Sequence, residues 1–135
     1  MNDIKSSHLL YGFGGVLLLI LLIYLIEVWR KRPKPIEIDG SQVPEGYDAS
    51  VLSNKLADAL KPWSLDGYYK NEVLGELYNL PNDEMFKLVY KTFNEAHGEG
   101  ETLRDWISSE WVGSSIFQTD YFNLVLNKIE DLNLA

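Results

Sequence analysis

The sequence predicts an all-α chain: one membrane-spanning helix followed by a small bundle of five short helices. Three observations carry this. Residues 9–28 read "LLYGFGGVLLLILLIYLIEV", an apolar run broken only by Glu27 near its end. A cluster of cations and prolines, "WRKRPKP", follows at once. Beyond Asp48 apolar residues recur at three- and four-residue steps, and no comparable alternating strand pattern occurs.

The apolar run extends roughly 30 Å as a helix, the thickness of a hydrocarbon core. Tyr11 near one end, and Tyr24 with Trp29 near the other, stand where amphipathic rings favour the membrane interface. A cleaved secretory signal is the wrong reading, because a signal carries its positive charge before the apolar run and small residues after it. Here Lys5 alone precedes, while Arg30, Lys31, Arg32 and Lys34 follow. This basic flank stays on the cytoplasmic side under the positive-inside rule, which puts the N-terminus outside and the C-terminal domain inside. Glu27 lies within one turn of Arg30 and Lys31 and can pair with them. Gly12, Gly14 and Gly15 offer a small-residue face for self-association, although they form no GxxxG pair.

The chain thus divides into a tail at 1–8, a transmembrane helix at 9–29, a basic then Pro/Gly-rich linker at 30–47, and an acidic bundle at 48–135. Pro33, Pro35, Gly40, Pro44 and Gly46 keep the linker extended, with "IEI" as a candidate short strand. The net charge of −8 hides an asymmetry: through Pro35 there are five basic and two acidic residues, and beyond it seven basic and eighteen acidic. A domain of net −11 repels phosphate backbones, so nucleic acid is not an expected partner. The chain has no cysteine, hence no disulfide, thiolate metal site or acylated thiol.

Within the bundle each helix has its own punctuation. Asp48 or Ser50 caps the first, which carries Val51, Leu52, Leu56, Ala59 and Leu60 and stops at Pro62. The second runs from about Asn71 to Leu80, with Val73, Leu74, Leu77 and Tyr78 on one face. Asn82 caps the third; Asp83 and Glu84 suit its positive end, and Met85, Phe86, Val89, Tyr90 and Phe93 turn inward. His97 closes its last turn before Gly98. Thr102 and Asp105 form a shortened capping box for the fourth, with Leu103, Trp106, Ile107 and Trp111 inward before Gly113. The fifth begins near Ser115 or Thr119 and carries Tyr121, Leu124, Val125, Ile129 and Leu132.

This order, with the stretch 71–113 "NEVLGELYNLPNDEMFKLVYKTFNEAHGEGETLRDWISSEWVG", resembles one annexin repeat over roughly residues 50–132. Asn71 and Glu72 match the family's acidic start, Tyr90 its third-helix aromatic, and Leu103, Glu110 and Gly113 its fourth helix and exit. Annexins join four or more repeats and lack a membrane span, so the chain departs from the family in both respects. The resemblance implies a calcium site built from a glycine-rich first loop and a fourth-helix carboxylate. Of that set Gly67 and Glu110 remain, while tyrosines occupy "DGYYKNE" where the pattern wants a second glycine and a threonine. Lost carbonyls lower the coordination that a hard cation needs.

No phosphate-binding glycine loop, metal pair or nucleophile elbow occurs, so neither enzyme activity nor a cofactor is expected. His8 stands at the membrane entry and His97 at a helix C-terminus, both structural placements. Glu95, Glu99, Glu101 and Asp105 gather near one helix junction and read as a hydrated surface. Trp63, Tyr68 and Tyr69, in a loop beside Pro62, are the candidate contacts with a protein partner. Two functions follow. One is a membrane-anchored structural or adaptor protein presenting an acidic domain to protein partners, including the form of a minor membrane protein linking the lipid layer and capsid of a virion. The other is a calcium- or lipid-responsive sensor of annexin type.

Overall fold

The computed structural model describes the backbone of residues 4–30, 34–110 and 119–134, with the side chains of the first helix described from Gly14 onward. Six α-helices and one 3-10 turn make up the described residues, among which there is no strand. The chain falls into two units, residues 1–34 and 35–135.

The first unit is helix α1, Ile4–Arg30. Arg30 in its last turn complements the negative end of the helix dipole. From Val16 to Ile26 successive side chains, all Leu, Ile, Val or Tyr, are 47 to 63% exposed. At 100° per residue they cover the whole circumference rather than one stripe. Among the described residues no helix is long and apolar enough to cross a membrane. The described side chains of α1 are fewer than the about 20 that span a hydrocarbon core, and the span expected over 9–29 begins outside them. Gly14 and Gly15 leave open space where a Cβ would stand.

The second unit is the bundle: α2 (Ala49–Ala59), α3 (Gly67–Tyr78), α4 (Asp83–Ala96), α5 (Leu103–Ser109) and α6 (Tyr121–Asp131). Helix α4 is its centre, touching α2, α3, α5 and the 3-10 turn, while α3 and α5 pack on α6. Phe86, Val89, Tyr90 and Phe93 of α4 are fully buried, together with Leu56, Val73, Leu74, Leu77, Leu103, Val125 and Ile129. Each such side chain contributes about 1.5–3 kcal/mol by leaving water. Trp106 packs edge-on against Phe93 with ring centroids 5.2 Å apart. The Tyr121 ring covers Gly75, where an added Cβ would come within 2.9 Å of it.

The caps act as the residue types suggest. Asp48 accepts from the Ser50 amide, Asn82 from Met85, and Thr102 with Asp105 closes a full capping box. Asn71 bridges α3 to the entry of α6, donating to the Thr119 carbonyl at 2.9 Å and accepting from the Tyr121 amide at 3.0 Å.

Several expectations need correction. Helix α3 begins at Gly67 rather than near Asn71, because Asp66 caps it by accepting from the Tyr69 amide at 3.0 Å. Tyr68 and Tyr69 are therefore helical, not loop residues. Val51 faces outward, and Phe122, not singled out from the spacing, is buried in α6. The linker is not free chain throughout: Gly40–Gln42 is a 3-10 turn, and Ile36 and Tyr47 pack against the core. The Asp39 amide donates to Glu84 Oε2 at 2.7 Å, and the Asn82 side-chain amide to the Gln42 carbonyl at 2.8 Å. The compact unit that holds the bundle therefore includes the docked linker from Pro35. Trp111, Gly113 and Ser115 lie outside the described residues, as do Lys31 and Arg32.

Acid weakens this arrangement. Hydrogen bonds from the Ser41 hydroxyl and amide hold Asp39 below its ordinary value, and those from Ser50 do the same for Asp48. The Lys87 ammonium, then the Asp39 amide, lower Glu84. Groups depressed on folding contribute stability above their unfolded values and lose it as pH falls through the folded ones. Urea midpoints should hold from pH 7 to about 5 and fall progressively below about 4.5. Glu84→Gln should flatten part of that slope.

Candidate functional site

The end of the bundle where α2 runs into α3 and where α5 stops gathers the most distinctive side chains of the molecule. After α2, Leu60 remains buried and Pro62 stands in a tight turn closed by the Ser64 amide donating to the Lys61 carbonyl at 2.9 Å. Proline presets φ for such a turn, so its tip is held rather than floppy. The tip presents Trp63, 83% exposed, and Leu65, 96% exposed. Tyr68, the second residue of α3, is 68% exposed. Large apolar side chains this bare on one turn make it a candidate interaction surface.

Behind the turn lies a charge pair that the sequence did not announce. The Lys70 ammonium donates to Glu110 Oε2, and the two side chains are only 7% and 16% exposed. Lys70 belongs to α3 and Glu110 caps the C-terminal end of α5, so the pair ties two helices forty residues apart. Such a pair, largely removed from water, holds because each charge offsets the desolvation of the other. A sequence signal existed. Lys70, Val73, Leu74 and Leu77 occupy i, i+3, i+4 and i+7, so a lysine stands in the buried stripe and requires a carboxylate partner.

The same pair bears on the two residues kept from the annexin-like calcium site. Glu110 already neutralises a lysine. Gly67 opens α3, where backbone N–H donors, not carbonyls, point outward and the helix dipole disfavours a cation. Among the described residues no group of three or more His, Asp or Glu side chains could hold a metal ion.

A pocket of about 330 Å³ opens beside the pair, lined by Leu60, Pro62, Glu101, Trp106, Ser109 and Glu110. The indole Nε1 of Trp106 is buried without a hydrogen-bond partner among the described residues. The acidic group noted in the sequence is dispersed around it: Asp105 is engaged in the capping box, Glu95 lies 3.9 Å from Lys91, and only Glu101 lines the pocket. Glu99 takes a left-handed φ of 48° in the turn before α5. His97 closes α4, its Nε2 at 2.8 Å from Asn54 Oδ1 and its ring against Phe93.

Lys34 is exposed at the start of the linker, and Arg30 is exposed at the end of α1. Comparison with protein families, with curated proteins and with solved structures yields no match.

Proposed function

We propose that the chain is a non-enzymatic, single-pass membrane adaptor. Helix α1 lies in a bilayer with its N-terminus outside, and the acidic bundle meets basic protein partners at the cytoplasmic face. The observation that carries this reading is the bare circumference of α1, whose successive Leu, Ile and Val side chains are about half exposed on every side. A helix apolar all round needs an apolar solvent on all sides, and lipid supplies one. Arg30, Lys31, Arg32 and Lys34 give the direction.

Five residues, 31–35, separate Arg30 from Ile36, the first side chain packed on the bundle core. Fully extended they reach about 20 Å, which keeps the bundle near the headgroups. Trp63, Tyr68 and Tyr69 serve as partner contacts, Trp63 and Tyr68 being well exposed. In a virion with an internal membrane the same arrangement links lipid layer to capsid. The annexin-repeat likeness remains a resemblance of sequence pattern over roughly residues 50–132. The calcium-sensor reading is not favoured, since Glu110 is committed to Lys70.

Alkaline carbonate should leave the full chain in the membrane pellet. Protease added outside intact cells should spare the bundle. Release by carbonate, or digestion of the bundle from outside, would defeat the reading.

A further inference from the structure

We propose that the pocket between the α2–α3 turn and α5 receives an arginine or lysine side chain of a basic protein partner. This deepens the adaptor reading and rests on it for the existence of a partner. Four features of the pocket select that occupant.

The first is charge. Among the described residues that line it, Glu101 and Glu110 are carboxylates and none is basic. Glu110 is balanced by Lys70, but the Glu101 carboxylate has neither an ion pair nor a hydrogen bond among the described residues, its backbone amide alone donating to the Gly98 carbonyl. An incoming cation therefore meets one uncompensated carboxylate. The second is the indole of Trp106, the aromatic side chain that attracts cations most strongly. The third is shape. A volume of about 330 Å³ is at the small end for ligand sites and has room for one long side chain. Leu60 and Pro62 supply apolar wall for the methylene stem of such a side chain while its charged head stays beside the carboxylates.

The fourth feature decides between a free organic cation and a side chain that belongs to a protein. Pro62 lines the pocket, and Trp63 and Leu65, bare on the same turn, follow one and three residues later. A protein segment that places its basic residue in the pocket sets its neighbouring apolar residues on this rim. A free cation leaves the rim uncovered. The net charge of −11 beyond Pro35 further concentrates basic partners at the bundle surface.

The test uses the purified full chain in detergent micelles and three probes: acetyl-Ala-Leu-Arg-Leu-Ala-amide, the same peptide with citrulline for arginine, and N-acetylarginine amide. Citrulline keeps the shape of arginine and removes its charge. Binding is followed by NMR through the indole N–H of Trp106, titrating each probe to about 20 mM. The arginine peptide should shift this resonance and bind at least about fivefold tighter than either control. Glu101→Gln should erase the advantage over the citrulline peptide, and Leu65→Ser the advantage over the single amino acid. Both residues are exposed, so neither change threatens the fold. Equal binding of the two peptides, an advantage untouched by Glu101→Gln, or no shift at the highest concentration would each overturn the proposal. So would equal binding of peptide and single amino acid. None of these results depends on α1 being in lipid, and carbonate release would leave them standing.

Discussion

Lys70→Met should lower the unfolding free energy of the bundle by about 3 kcal/mol, far more than a surface lysine would cost. The Lys70 ammonium is the partner of Glu110, and both side chains are largely buried. Methionine fills much of the same volume, so the loss comes from a carboxylate left in a poorly hydrated site rather than from a cavity. Two controls separate these causes. Glu110→Gln in the Lys70→Met background should restore most of the stability, because no charge then remains buried. Lys55→Met removes a partner of Glu76 at 2.6 Å, but both of those side chains are exposed, and it should cost about 0.5 kcal/mol. Urea denaturation followed by near-ultraviolet circular dichroism reports loss of the aromatic core, with Tyr11, Tyr24 and Trp29 of α1 common to every variant. A loss below about 1 kcal/mol for Lys70→Met would mean that Glu110 reaches water once freed.

The pair also shows where sequence reading succeeds and where it stops. Signals confined to one helix were legible. Asn82 with Asp83 and Glu84 announced α4, Thr102 with Asp105 announced α5, and the spacing of Phe86, Val89, Tyr90 and Phe93 identified the central face. These features depend on neighbours within one turn. The start of α3 is harder to read, because Gly67 and two tyrosines are poor helix formers and Asp66 sits in what reads as the first loop. Val51 fits the apolar spacing of α2 yet points to solvent, since Leu52 and Leu56 already fill the contact with α4. Contacts across long separations could not be read at all. The Asp39 amide meets Glu84 forty-five residues away, and a linker full of prolines gave no sign that it would dock. The pocket is of the same kind: Pro62 and Glu101 share it only because α2 and α4 pack together.

Leu19→Arg combined with Leu22→Arg should move the protein from the membrane fraction to the supernatant, the largest functional effect expected of any pair of substitutions. Each arginine near the centre of a spanning helix costs about 2.5–3.5 kcal/mol, so the two together offset much of what the apolar run gains in lipid. This result alone does not separate lipid from an apolar groove on another protein, because charge would expel α1 from either. Single alanine substitutions make the distinction. Lipid contacts every side of the helix alike, so alanine at Leu18, Leu19, Ile20, Leu21 or Leu22 should each leave carbonate resistance unchanged. A protein groove holds one face, and losses would then recur at three- and four-residue steps, as they do when a helix is anchored by i, i+3, i+4 and i+7 contacts. A periodic pattern of losses would place α1 against a partner and leave the basic flank without a bilayer to orient.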